Sequence, residues 1–425
     1  MVRGAPWCAA RHNARGAIRL ASVTTPSRNR RPLRAILLNG PADSPRLIDP
    51  LRAALDGSGP AILPVDAGLP ASQVAALLEA LAPDEVVVAG ESTARSGRGV
   101  REDTAVIIGT SGSTGAPKGV ELSASALLAS ARASMARLGA RRGERWLACL
   151  PVTHVAGLQV LVRSLESGTD PVVAQLGEEG AAAASHASIV PTQLVRLMDS
   201  AAGRAALARL SSVLVGGAAA SAALLDGARA AGVRVVTTYG MSETCGGCVY
   251  DGMPLDGVSV RADADGRLRI SGPVLMNGYY GQPELTASVL ADDVSGIREY
   301  VTSDLGSVDD AGRVVVRGRA DDVINTGGHK VVPGEVAAVL STCPGVKDVV
   351  VVGRPDPEWG ERVTAVIVPE DQEYPPALEL LRIHVRAALP RYACPSEVVL
   401  AEAIPVLSNG KPDLARLRLG AHGAA

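Results

Sequence analysis

The chain contains no phenylalanine, and aromatic residues make up 2% of its 425 positions. Core packing that Phe usually provides must therefore come from Leu, Val and Met. Lysine is nearly as scarce. Lys118, Lys330, Lys347 and Lys411 stand against 38 arginines among the 42 basic residues. A compact ammonium can approach one oxygen closely, which a planar guanidinium does less well, so the rare lysines are worth following. Neither charge sign dominates: the formal net charge is −2. That leaves no bulk electrostatic case for nucleic acid. No apolar run reaches transmembrane length, so membrane insertion is not expected. The six cysteines are scattered, which suits a reducing compartment such as the cytoplasm. Cys245-Gly-Gly-Cys248 has the spacing of a redox pair or half a zinc site. No second CxxC or paired His follows it, so a metal role is not read here.

What is present is a regular alternation. Apolar runs at 35–38, 61–65, 86–89, 105–108, 146–150, 171–174, 213–215 and 233–238 read as strands. Helical patterns at 72–81, 123–138, 157–167, 192–200 and 221–231 fall between them. Such alternation predicts a large layered α/β domain with parallel strands. Beyond Gly257 the texture changes to short β segments at 258–261, 268–271 and 313–317, with Asp-Gly turns. After Arg319 the pattern predicts a small, mobile α+β unit, with a helix led by Pro333. The expected division is 34–318 for the large domain and 319–425 for the small one. Residues 1–33 are rich in Arg and lack acidic residues. They read as a disordered extension or a misassigned start, in preference to a transit peptide.

The chemistry gathers around Thr110-Ser111-Gly112-Ser113-Thr114-Gly115-Ala116-Pro117-Lys118-Gly119. A strand is expected before this stretch and a helix after it, which would turn backbone N–H groups toward an anion. The glycines permit close backbone approach, the hydroxyls add donors, and Lys118 adds a mobile charge. It is not a Walker A loop, which ends in Gly-Lys-Ser/Thr. Further candidates follow. His154 lies in Pro151-Val-Thr-His154-Val-Ala-Gly157, and by itself reads as structural. Arg163 by itself reads as a solvated helix residue. Gly216 and Gly217 follow a strand. Tyr239-Gly240-Met241-Ser242-Glu243 offers an aromatic, a hydroxyl and a carboxylate suited to Mg2+. Asp304, Arg319, Asp321, Gly327-Gly328-His329 and Lys411 complete the set.

The phosphate-loop string resembles that of adenylate-forming enzymes: acyl- and aryl-CoA ligases, luciferases and peptide-synthetase adenylation domains. Six motifs similar to theirs follow in family order from 109 to 413, about three-quarters of the chain. The strings around Arg163 and Cys245 look most like the o-succinylbenzoate–CoA ligase branch, which serves bacterial menaquinone synthesis in the cytoplasm. The resemblance implies a fold, substrates and roles. ATP, Mg2+ and coenzyme A would be used, with CoA as a substrate, and the partner would be a small carboxylic acid. A homodimer is left open. Thr110 to Gly115 and Lys118 would hold phosphates. Gly216, Gly217, Tyr239 and Gly240 would form the adenine pocket, with Gly240 also beside the acid. Ser242 would reach phosphate, and Glu243 would hold the metal. Asp304 would bind ribose, although Ser303 stands where the family usually has Gly. Arg319 would bind ribose or phosphate. His154 and Arg163 would face the acid, Asp321 would be the hinge, and Gly327 and Gly328 would line the pantetheine path. Lys411 would be the catalytic lysine. Another acyl- or aryl-CoA ligase, a stand-alone adenylation enzyme and a silent nucleotide-binding scaffold remain alternatives.

Overall fold

The computed structural model describes residues 30–111, 117–407 and 411–420. Two sheets form the body of the large α/β part. The first has seven strands, with Leu33–Leu38 near its middle. That strand runs parallel to both Ala61–Asp66 and Glu85–Val88. The second has six strands, and its parallel part runs inward from the edge strand Trp146–Leu147 through His186–Ile189 and Ser212–Val215 to Val235–Met241.

Between the sheets pack the helices Ala124–Leu138 and Val155–Ser167. Ser123 caps the first, its hydroxyl accepting from the Ala126 N–H, and Gly139 ends it in the left-handed conformation. The second helix is apolar over most of its surface and nearly all buried, as a helix between two layers must be. One continuous core joins Ile36 and Ile62 of the first sheet, Leu127 and Leu158 of the helices, and Val249 and Tyr250 of the second sheet. Trp146 leads the fully buried side chains, and Leu, Ile and Val carry the rest. Truncating one of these leucines to Ala would cost about 2–5 kcal/mol.

A third sheet holds Ser259–Ala262, Arg267–Ser271, Leu290–Asp292, Arg298–Val308 and Val314–Arg319. The C-terminal part has its own five-stranded sheet and a separate core of Ile324, Val336, Leu340, Leu381 and Val385. Ion pairs among the described residues help set it against the rest of the chain. Lys347 Nζ lies 4.0 Å from Asp199 Oδ1, and Arg317 Nη1 lies 3.4 Å from Glu335 Oε1.

Three expectations need correction. The segment 171–174 forms only an isolated bridge, Val172 to Leu147, and the neighbouring strand covers just Trp146–Leu147. The phosphate stretch does not lead directly into a helix. Pro117–Ser123 is a strand that returns antiparallel to Thr104–Ser111 and pairs Lys118 with Thr110. The following helix therefore starts at the far end of this hairpin. Finally, ordered structure begins before residue 34. Leu33 is fully buried, and Arg31 donates to the carbonyls of Ala53, Gly59 and Thr104. Residues 30–33 thus belong to the fold, and 1–29 lie outside the described residues.

Candidate active site

Gly112, Ser113, Thr114 and Gly115 lie outside the described residues, but the hairpin that carries them is in place. Thr110 Oγ1 donates to the Lys118 carbonyl at 3.5 Å. Lys118 Nζ sits 5.6 Å above the ring of Tyr279. The Tyr279 hydroxyl in turn donates to Glu243 Oε1 at 2.8 Å. Register explains this meeting: Tyr279 pairs with Val120 and Gly278 with Glu121, so the aromatic lands beside the hairpin. Glu243 lies in the one-turn helix Ser242–Thr244, and its carbonyl accepts from the Met276 N–H at 2.9 Å. Burial, reinforced by the Glu243 charge, pushes the Tyr279 phenol up, so it remains a proton donor. Tyr279 was missed in the sequence because it lies 36 residues from its carboxylate and outside the recognised strings. The donor set suits Mg2+. One Glu243 oxygen is steadied by Tyr279, the other is left for a hard cation, and phosphate oxygens would complete its coordination.

A second group forms where Val235–Met241 meets the third sheet. The Tyr239 hydroxyl donates to Asp304 Oδ2 at 2.7 Å. Asp304 is paired across strands with Arg319, whose Nη1 lies 3.9 Å from Asp304 Oδ1. The Arg319 Nη2 donates to Asp321 at 3.2 Å. Two glycines keep the adjoining backbone flat. A Cβ on Gly216 would lie 2.1 Å from Thr238 Oγ1, and one on Gly240 would lie 2.0 Å from the Gly246 carbonyl. Gly217 follows with a positive φ. Ser242 starts the turn that carries Glu243. Gly327 and Gly328 form the tip of a C-terminal hairpin, beside the exposed Trp359.

The third group surrounds the helix Val155–Ser167. His154 stands at its N-cap in extended conformation. Burial pulls the imidazole down and the Lys411 charge acts in the same direction, against Asp66. Lys411 therefore reaches this side of the large domain electrostatically, although it lies 257 positions further along the chain than His154 (411 less 154). Its loop is closed by the Leu407 N–H, which donates to the Lys411 carbonyl at 2.8 Å. Arg163 is not a solvated residue. It is 5% exposed, with Nη2 donating to Ser188 Oγ at 3.0 Å and Nη1 to Ser134 Oγ at 3.4 Å. Its guanidinium carbon lies 4.4 Å from the centre of the Trp146 ring. Among the described residues no carboxylate pairs with it, and Nε has no partner. Thr153 Oγ1, Gln159 Oε1 and Trp146 Nε1 are also buried without partners. Two of these atoms lie on the helix Val155–Ser167, and Thr153 just precedes it. Cys245 and Cys248 are both buried in the core; burial pushes the Cys248 thiol up to about 12 and Cys245 further still.

The chain belongs to the AMP-binding enzymes. The family's main domain matches residues 72–280 and its C-terminal domain matches 335–411. It is 40% identical to a probable 2-succinylbenzoate–CoA ligase of Mycobacterium tuberculosis over 91% of this chain and 97% of that protein. A 2-succinylbenzoate–CoA ligase of Listeria monocytogenes is 30% identical, over 72% of this chain and 68% of the relative. Among solved structures, E. coli MenE with a bound analogue of OSB-AMS superposes with a TM-score of 0.72 at 26% identity, over 92% of this chain and 88% of that one. ATP-bound MatB from Rhodopseudomonas palustris gives 0.77 at 23% identity, covering 91% and 88%, and bears on the fold alone. The expected class, an AMP-forming ligase that uses ATP, is thereby established.

Proposed function

We propose that the chain is an o-succinylbenzoate–CoA ligase, with residues 30–318 and 319–425 as its working domains. The observation that carries this reading is Arg163. A buried cation with no carboxylate partner is costly, and it is best explained by a ligand that brings a second negative charge. o-Succinylbenzoate has two carboxylates. One reacts, and the other can be read by Arg163 and Ser188. The 40% identical relative supports the same substrate.

A carboxylate oxygen attacks the α-phosphorus of ATP. The bond to the β-phosphate oxygen breaks, and pyrophosphate leaves with the electron pair. Lys118 and the phosphate-loop donors hold the leaving group. Glu243, steadied by Tyr279, would hold Mg2+, which supplies charge neutralisation at the phosphates. Asp304 and Arg319 take the ribose, and the backbone at Gly216, Gly217 and Gly240 takes the adenine beside Tyr239. Neutral His154 orients the acid, and Ser242 reaches phosphate. Lys411 bridges the attacking oxygen and the α-phosphate, where negative charge builds. Rotation about Asp321 then withdraws Lys411 and brings Gly327 and Gly328 to the adenylate. The CoA thiolate adds to its carbonyl carbon, and AMP leaves. The enzyme is placed in the cytoplasm.

The test is CoA-thioester formation with o-succinylbenzoate, benzoates and fatty acids. o-Succinylbenzoate should be preferred. A preference of more than about tenfold in kcat/KM for another acid, or about 1.4 kcal/mol of discrimination, would overturn the assignment.

A further inference from the structure

Arg163 and His186 both pack against Trp146. The Arg163 guanidinium carbon lies over the indole, 4.4 Å from the ring centre. The imidazole of His186, a cross-strand neighbour, stacks on the same ring system, with centroids 4.6 Å apart and planes inclined by 29°. His186 is fixed at both nitrogens, Nδ1 to Ser212 Oγ at 2.8 Å and Nε2 to Glu144 Oε2 at 3.0 Å. Trp146 is fully buried and His186 is 1% exposed. The hydrogen-bond partners of Arg163 are hydroxyls: Ser134 and Ser188, with Tyr250, which also bonds Ser134 at 2.7 Å. None of them is a carboxylate that would offset its charge.

We propose that Trp146, held in place by the stacked His186, is the positioning residue that orients Arg163 toward the non-reacting carboxylate of a dicarboxylic substrate. The inference rests on the reading of Arg163 as the reader of that carboxylate. The face of the indole attracts the cation without consuming any of its N–H donors. An acidic partner would fix Arg163 equally well, but it would neutralise the charge and occupy the fork that the substrate needs. An aromatic face therefore holds the guanidinium while leaving its edge to the ligand. His186 suits its place only as a neutral ring. Burial disfavours its protonated form, and the Arg163 charge acts in the same direction, against Glu144. In an aromatic-poor chain, one of three tryptophans is spent on this contact.

The experiment compares o-succinylbenzoate with 4-oxo-4-phenylbutanoate, which keeps the reacting carboxylate and lacks the one on the ring. Pyrophosphate release is measured for both. Trp146→Leu should raise KM for the dicarboxylate by about tenfold and leave the monocarboxylate unchanged. Trp146→Tyr, which keeps an aromatic face, should recover most of the loss. Fluorinated tryptophans placed at 146 keep the shape of the ring and weaken its face stepwise, so they remain informative if the Leu variant does not fold. Dicarboxylate KM should rise in step with fluorination. Equal loss on both acids, or no trend along the fluorinated series, would overturn the role of Trp146. Arg163→Ala separates the two claims. If it fails to distinguish the acids, the reading of Arg163 itself is wrong. If it distinguishes them while the Trp146 series does not, only the positioning role falls.

Discussion

The proposed nucleotide end and the proposed acid end of the site are built on opposite plans. At the nucleotide end the polar side chains engage one another: Lys118 with Tyr279, Tyr279 with Glu243, Tyr239 with Asp304, and Asp304 with Arg319. At the acid end Thr153, Gln159, Arg163 and Trp146 hold buried polar atoms with no partner. The first plan prepares a site whose electrostatics change little when substrate arrives. The second stores selectivity as unmet hydrogen-bonding capacity, which a matching acid relieves and a wrong one leaves unpaired. The contrast teaches that chemistry shared by a family is secured by internal bonds, whereas substrate choice is kept open until the ligand supplies the missing groups.

Lys411 belongs to neither end, and it should give the largest effect. Lys411→Ala is expected to slow adenylate formation by roughly 10²–10³-fold, as for loss of one preorganised donor. Thioester formation from supplied acyl-adenylate should be nearly unchanged. Asp321→Pro should show the reverse pattern, because a fixed φ at the hinge obstructs rotation. Pyrophosphate release, measured beside thioester formation from supplied adenylate, tests both. Equal loss of both steps in both folded variants would rule out the two-conformation mechanism.

Arg163→Ala should come next, and it sharpens the comparison directly. A lost charge-assisted hydrogen bond of about 1.5–3 kcal/mol predicts roughly 10–100-fold lower kcat/KM for o-succinylbenzoate. ATP KM should not move, since the nucleotide end is bonded within itself. A matching rise in ATP KM would show that the two ends are coupled.

Tyr279→Phe probes the opposite end. Removing the hydroxyl frees Glu243 Oε1 from its donor. Loss of a group that steadies a metal ligand typically costs about 10–100-fold in metal affinity. The low end of that range is expected here, read as the Mg2+ concentration at half-maximal pyrophosphate release. Selectivity among acids should stay as it was. A changed acid preference with unchanged Mg2+ dependence would place Tyr279 on the wrong side of the comparison.

Much of the nucleotide end was legible because its residues sit in short, ordered strings. Asp304 and Arg319 were each picked out, but their cross-strand pairing depends on register through a bulge between Leu305 and Gly306. Tyr279 was not legible, since nothing local ties it to Glu243. Gly278-Tyr279-Tyr280-Gly281 in so aromatic-poor a chain was the available signal. The strand 117–123 was hidden because seven residues of mixed polarity look like the lead-in to a helix. At the acid end Arg163 was found by its string alone. Its burial and the Trp146–His186 stack behind it arise from three separate segments meeting, which no local pattern encodes.

The smallest effect is expected in stability against pH, and it tests the acid end alone. Burial lowers the His186 pKa from its ordinary 6.5, despite the nearby Glu144. The folded state therefore binds a proton at this ring less readily than the unfolded chain does. Above about pH 6.5 both states hold the ring neutral, and its contribution is at its full value. As pH falls below that, the unfolded chain takes up the proton first, and stability declines until the folded-state pKa has been passed. His154, lowered chiefly by its own burial, adds to the same slope. His186→Gln removes one titrating ring and retains a polar group for Ser212 or Glu144. Melting temperatures of the variant and the parent, followed from pH 7.5 to 5, should converge as pH falls, the parent losing about a few degrees more than the variant. Parallel curves would mean that folding leaves the His186 pKa where it was, and a parent that gains on the variant as pH falls would mean a protonated ring in the fold. Either result is contrary to the neutral stack on which the acid end depends.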